Sequence, residues 1–499
     1  MKKIIDVLLI AAMLAASVPA MAESGSVPPE PPQMEQGRPP EPPDGTHPGA
    51  PPDGTFPGDP LDGSDGSAPG RPMGGPPGGM SSRPESYSAV ITCAEDTEFT
   101  DETIASTGTD ENAVLVTAGN VTVSGGDSAS FYGVGAAVLV TGGAVTVEDT
   151  VISTSANGGA GVFAYGDGTA YVSDTEITTQ KGASGGIHVA GGGTLKAVDL
   201  TVSTYGASSA AIRSDRGSGT MTVEGGSYTS HGSGSPAVYV TADISVKDAE
   251  LTATGSEALC LEGLNTIRLY DCDLSGDMPD DAQNDNTWTV ILYQSMSGDS
   301  QVGRGTFVMD GGTLTSGNGG IFYTTNTDSV FTVRNVEIAA ADDCEYFLRV
   351  TGNSNRRGWG TAGQNGANCV FTAIAQEMNG DVIYDSVSCL TLYLTEGTVF
   401  TGALVDDESC AGSGGSGTVS LIVDAASAWV VTADSSLTSL NCAGRVVDAE
   451  GLQVRIVGTD GTVFVEGESG VTVTVASYGT EADTSAAGQI KDWSVYDIL

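Results

Sequence analysis

The chain has 499 residues, 63 acidic against 19 basic, and a formal net charge of −44. Only 16% of residues are charged, so the sign reflects a scarcity of Lys and Arg; it excludes nucleic acid and disfavours anionic membrane surfaces, which both need a basic face. The hydrophobic fraction of 39% is enough for a core and excludes wholesale disorder.

Lys2 and Lys3 precede a mostly apolar run, Ile4 to Val18, and Ala20-Met21-Ala22 has the small-x-small pattern of a cleavage site. Residues 1–22 are predicted to be a secretory signal peptide, which makes the protein secreted or cell-surface associated. The run is too short to span a bilayer, and no other stretch approaches about 20 apolar residues, so no transmembrane segment is expected. Eighteen of the 21 prolines lie between Pro28 and Pro84. Pro removes backbone donors, and the Asp-Gly pairs of Pro42-Pro-Asp-Gly and Pro51-Pro-Asp-Gly favour turns. Residues 23–85 are predicted to be a disordered Pro/Gly-rich tether.

Beyond residue 85 one pattern recurs. A first element reads Gly143-Ala-Val-Thr-Val, Gly168-Thr-Ala-Tyr-Val, Gly193-Thr-Leu-Lys-Ala and Gly219-Thr-Met-Thr-Val. A second follows each of these: Val151-Ile-Ser-Thr, Glu176-Ile-Thr-Thr, Thr201-Val-Ser-Thr and Ser227-Tyr-Thr-Ser. A third closes the unit: Gly161-Val-Phe-Ala, Gly186-Ile-His-Val, Ala211-Ile-Arg-Ser and Ala237-Val-Tyr-Val. Each element alternates apolar and polar residues, as strands do, with Gly, Ser, Asn and Asp between. Three short strands in about 24 residues make one coil of a parallel β-helix, and stacked coils build a continuous core. The fold class is therefore all-β, a single right-handed parallel β-helix over residues 86–484. Residues 485–499 are expected to be a C-terminal cap or tail.

Eight cysteines in an exported chain permit disulfides. Cys also packs as a small hydrophobe, and buried free thiols are expected for most of them. Cys369 and Cys389 are the best candidate pair because they fall at equivalent repeat positions.

Side-chain direction supplies a binding candidate. Alternate strand residues face opposite sides. In the third element Val138, Val162 and Ile187 point inward, which leaves Leu139, Phe163, His188, Arg213, Tyr239, Cys260, Ile291 and Phe322 pointing out. An outward column this apolar is unusual. The longest insertions, 276–287, 295–304 and 352–368, flank the same strand, and the last contains Arg356-Arg357-Gly358-Trp359. Phe163, His188, Arg213, Tyr239, Phe322, Arg356 and Trp359 are the candidate binding residues, since aromatic faces stack on sugars and apolar peptide groups. The alternative is a stripe covered by loops or by the chain's own N-terminus. A second column, Ser153, Thr178, Ser203, Thr229, Thr252, Ser275 and Thr315, forms an outward hydroxyl ladder of ordinary β-propensity.

The repeats resemble the pectate-lyase-like family of secreted right-handed parallel β-helices, which also supplies autotransporter passengers and adhesin-like proteins. Polygalacturonases share that fold, and the resemblance implies catalytic candidates at Asn326-Thr327-Asp328 and Asp342-Asp343, paired carboxylates for hydrolysis. The family's downstream Gly-His-Gly and Arg-Ile-Lys are missing here. Arg213-Ser214-Asp215-Arg216 is matched only loosely to a lyase base and reads as a surface charge pair. No cofactor is expected, although the acidic loop Asp277 to Asp285 has the oxygens for calcium. The preferred function is a non-enzymatic, adhesin-like β-helix that binds a glycan or protein surface. A polysaccharide lyase or glycoside hydrolase, and a spacer without a ligand, stay open. Beyond residue 84 there are 14 bases against 53 acids, a net of −39, so the acidity belongs to the rod and disfavours an anionic ligand.

Overall fold

The computed structural model describes residues 86–496, except for 100–103, 105, 107–110, 118–119, 124–132 and 134–135. The expected signal peptide and tether lie outside the described residues. The described chain forms a single parallel β-solenoid of about 13 turns with almost no helix. Each coil carries a first, a second and a third strand, for example Gly193–Val198, Thr201–Thr204 and Ile212–Ser214. Like pairs with like in parallel: Leu195 stands between Ala170 and Met221, and Val202 between Ile177 and Tyr228. The first and third faces belong to one 28-stranded sheet, because Val138–Glu148 and Ala160–Ser173 run unbroken from third face to first. The second face divides into sheets of eight and four strands.

The interior is one continuous apolar stack. Its bulkiest part is a cluster of five rings, Phe307, Phe322, Phe331, Phe347 and Phe371, all fully buried. Neighbouring centroids lie 5.4 to 5.9 Å apart, mostly edge to face. Polar ladders are sealed inside as well. The hydroxyls of Ser184, Ser209 and Ser235 each accept from a backbone N–H one coil earlier at 2.8 to 2.9 Å. They thereby satisfy donors that the corner would otherwise orphan.

The corner between first and second strands explains part of the acidity. Asp149, Asp174, Asp199, Asp248 and Asp271 occupy equivalent places with φ between 47° and 52°. Asp and Asn tolerate this left-handed backbone better than other residues with a Cβ, and Gly225, Gly311 and Asn335 fill the same place in other coils. Ala375 fills it too, at φ 48°, with its side chain exposed. Replacing Ala375 by Gly removes that strain without opening a cavity. Chemical denaturation is expected to show a gain of about 1 kcal/mol; a loss would refute this account of the corner.

All eight cysteines are free, and Cys93, Cys260, Cys272, Cys369 and Cys442 are buried. The expected pairing of Cys369 with Cys389 is overturned. Cys389 aligns with Asn368, and Cys369 with Leu390. This offset of one residue turns the two thiols to opposite faces of the sheet.

Beyond Thr472–Gly479 the chain turns back along the outside of the first face. Gly488 N–H donates to Thr372 Oγ1 at 2.8 Å, Tyr270 O–H donates to the Lys491 carbonyl at 2.9 Å, and Trp493 packs edge-on against Tyr270. The C-terminal segment is thus a strap along the sheet. The last coils end in an antiparallel pair, Arg455–Gly458 with Val463–Val465.

Candidate functional site

The outward column of the third face holds its register from Leu139 through Phe163, His188, Arg213, Tyr239, Cys260 and Ile291 to Tyr323. Phe322, expected outward, is in the ring cluster of the core, and Tyr323 takes the outward place. Nor does most of the column meet solvent: Phe163 is fully buried, Cys260, Ile291 and Tyr323 nearly so, Arg213 is 8% exposed, and Tyr239 is half-buried. It is the floor of a second core outside the solenoid wall.

Its N-terminal part is closed by the chain itself. Leu139 and Phe163 pack with Leu115, Tyr87 and Ala89. The Phe163 ring stacks on His188 at 4.0 Å. Arg213 Nε donates to Asp215 Oδ2 at 2.8 Å, and His188 Nε2 lies 2.9 Å from the same oxygen, too bent for a good hydrogen bond. Burial opposes ionisation of Asp215, but the charge of the adjacent Arg213 guanidinium holds its carboxyl at about 2. Burial pushes His188 below its usual value, so it stays neutral. The expected surface charge pair is therefore a buried, internally partnered network. Phe163, His188 and Arg213 are spent on structure.

The C-terminal part is roofed by two loops and keeps a cavity. Residues 277–287 lead into the third strand Trp288–Tyr293, and 351–367 leave the third strand Leu348–Val350. They meet across the face. Asp285 accepts from Ser354 N–H at 2.7 Å and Ser354 O–H at 2.6 Å, Arg356 donates to the Ala282 carbonyl at 3.1 Å, and Arg357 donates to Asn284 Oδ1. The Asn365 amide, donating to the Trp359 carbonyl at 2.8 Å, fixes the second loop. The carboxylates of the acidic loop thus meet arginines and amides, and no group of three His, Cys, Asp or Glu among the described residues could hold a metal.

The cavity between floor and roof holds about 340 Å³, at the lower end of ordinary ligand sites. Cys260, Ile291 and Tyr293 form the floor, Trp288, Trp359 and Met278 the walls, and Ser233, Pro279, Asp280 and Ala282 an exposed rim. Trp359 lies 4.5 Å from Tyr293 and 6.1 Å from Trp288, centroid to centroid. Three donors of lining residues, Trp288 Nε1, Trp359 Nε1 and Asn284 Nδ2, have no partner and are buried. A buried donor without a partner is costly and rare in a finished core.

Two buried glutamates, Glu257 and Glu262, flank the third strand Leu259–Glu262 and differ in their partners. Glu262 accepts from Tyr239 O–H at 3.1 Å, Tyr293 O–H at 3.3 Å, the Gln294 amide at 3.3 Å and Ser295. Glu257 lines the cavity, is 4% exposed, and takes one side-chain bond, from Ser256 O–H at 2.5 Å. Burial pushes both carboxyls above their usual range. Burial, reinforced by Glu257, pushes the Cys260 thiol well up, away from the thiolate that a nucleophile needs.

The structure brings Trp359 to the cavity, with Tyr239 packed on the edge of its apolar cluster. Arg356 serves the clasp, and Arg357 lines the cavity instead. Asp328 opens a first-face strand and accepts from Asn368, while Asp342 and Asp343 are exposed beyond the second-face strand Glu337–Ala339. The paired carboxylates implied by the resemblance therefore lie on different corners of the coil. Glu257, Trp288 and Tyr293 were missed. Glu257 carried a signal: at its repeat position earlier coils hold Gly185, Ala210 and Pro236.

The fold and cavity define a parallel β-solenoid with one roofed aromatic site. No known protein-family profile, no curated protein and no solved structure matches this chain.

Proposed function

We propose that this protein is an exported, non-enzymatic, adhesin-like β-solenoid that binds a glycan in the cavity beneath the two clasped loops. The repeat style supports kinship with the secreted pectate-lyase-like β-helices, and the signal-like N-terminus supports export. The observation that carries the reading is the combination of aromatic walls with three unpartnered buried donors. Indole and phenol rings cover the C–H faces of a sugar, and its ring and hydroxyl oxygens are acceptors for Trp288, Trp359 and Asn284. A purely apolar ligand would leave those donors unmet, so a hydroxylated ring is the better fit. The acidity of the rod disfavours uronic acids and sulfated chains. Trp288 and Trp359 make the site its own reporter. Titration of the full chain with neutral and amino mono- and oligosaccharides is expected to give a saturable change in tryptophan fluorescence. If no sugar changes the fluorescence or gives heat on mixing, the reading falls.

A further inference from the structure

We infer that the cavity selects a sugar bearing a protonated primary amine, with Glu257 as the group that recognises it. The inference rests on the sugar-binding reading and narrows it to one ligand chemistry.

The argument starts from an incomplete carboxylate. An ionised carboxylate accepts about four hydrogen bonds, and burying one without partners is costly. Glu262 meets this demand with donors from Tyr239, Tyr293, Gln294 and Ser295. Glu257, equally removed from solvent, has the Ser256 hydroxyl alone among side chains. No cation among the described residues comes within ion-pair distance of it. Arg357, the basic residue of the cavity, is committed elsewhere: to Asn284, to Asp281 at 3.7 Å, and to the Trp359 ring at 5.6 Å.

Glu257 is also out of keeping with its repeat position. Gly185, Ala210 and Pro236 at that position need no partner, and the serine ladder beneath them bonds to backbone. At Ser256 the ladder breaks, and the hydroxyl turns to the carboxylate. A charged group stands where the preceding coils hold small uncharged residues, at the wall of the cavity.

An ammonium group suits this end of the cavity in three ways. It brings three donors to the unfilled acceptor sites of Glu257. The faces of Trp288, Trp359 and Tyr293 attract a cation through their ring quadrupoles. Asp280 and Asp281 on the rim, and the net charge of −39 beyond residue 84, draw a cationic ligand in. The unpartnered indole and amide donors of the same lining then meet the hydroxyl oxygens. A simple alkylamine would satisfy Glu257 but not those donors.

Burial raises the Glu257 carboxyl, while the Ser256 hydroxyl, its own backbone N–H and the charge of Arg357 pull it down; Cys260, Tyr293, Asp280 and Asp281 are the other titratable groups that line the cavity. The Glu257 carboxyl titrates above the usual range. Below that raised value it is neutral and offers an ammonium little; above it, the carboxylate is available. Amine preference therefore rises with pH through this range, until the amine itself loses its proton.

The test is calorimetric titration of the full chain with glucosamine, glucose, N-acetylglucosamine and n-butylamine across pH 4 to 8. Glucosamine is expected to bind at least about tenfold more tightly than glucose or N-acetylglucosamine near neutrality. That ratio should shrink on acidification, and most of it should vanish in Glu257→Gln. The wild-type pH profile stands alone if the variant folds poorly. Glucose binding without amine preference, a ratio unchanged in Glu257→Gln, or butylamine binding as tightly as glucosamine would overturn this inference while leaving a sugar site. Absence of all sugar binding would overturn both.

Discussion

Replacing Trp359 by Ala is expected to weaken sugar binding by about 10- to 100-fold while the solenoid stays folded. The ring supplies one wall of the cavity, one unpartnered donor and the contact with Tyr293. An aromatic platform and a hydrogen bond at a desolvated site together contribute on the order of 1.5–3 kcal/mol, which is that range in Kd. The loop that carries Trp359 is held independently, by Asn365 and by the bonds between Asp285 and Ser354. The loop's backbone should therefore keep its course, and thermal unfolding should move little. Calorimetric titration of wild type and variant measures the effect. Equal affinity in the two would remove Trp359 from the site, and with it the aromatic argument.

The opposite balance is expected of Phe371→Ala. Phe371 is fully buried and touches Phe322, Phe331 and Phe347, with centroids at 5.4, 5.5 and 5.8 Å. Truncation removes the ring and leaves a hole that its neighbours cannot fill, since each is anchored by a paired strand. The cost is about 3–5 kcal/mol, transfer and cavity terms combined. In a solenoid each coil rests on its neighbours, so the loss is felt along the stack. Denaturant unfolding should show a lowered midpoint, or an early transition for the coils around residues 307–371. A cost below about 1 kcal/mol would mean that the cluster is looser than its geometry implies.

Much of the fold could be read from the sequence because its signal is periodic. Steps of 25, 25, 26 and 23 residues between first strands, with alternation inside each, leave few architectures. The hydroxyl ladder Ser153–Thr178–Ser203–Thr229 appears in the structure in the register that the repeats imply. Parity failed where apolar residues run together. Ile321-Phe322-Tyr323 offers no alternation, so only the pairing of Phe322 with Val290 decides which side faces in. The pairing of Asn368 with Cys389 decided the cysteines in the same way.

The candidate site was half legible. An apolar outward column with insertions beside it located the right face. Which part of that face is closed and which is hollow depends on loops that meet only in three dimensions. Tyr87 and Ala89 against the cluster of Leu139 and Phe163, and Trp359 beside Tyr293, are contacts across long stretches of chain. Glu257 was visible only as an exception to its repeat, and only once strand register had placed it opposite Pro236 and Trp288.

The clasp also makes one part of this protein a length gauge. Its two loops spring from third strands two coils apart, Trp288–Tyr293 and Leu348–Val350, with Gly320–Thr325 between them. Coils step along the axis by about 4.8 Å, so the reach between the loops is set by an integer, the number of coils they straddle. Along most of a solenoid that integer is free, and whole coils can be gained or lost during descent without disturbing their neighbours. Here it is not. One coil more would part Asp285 from Ser354 by a full step and unroof the hollow; one fewer would crowd Trp359 into Trp288. Duplication and deletion are thus open to the coils before Ser233 and closed to those beneath the roof.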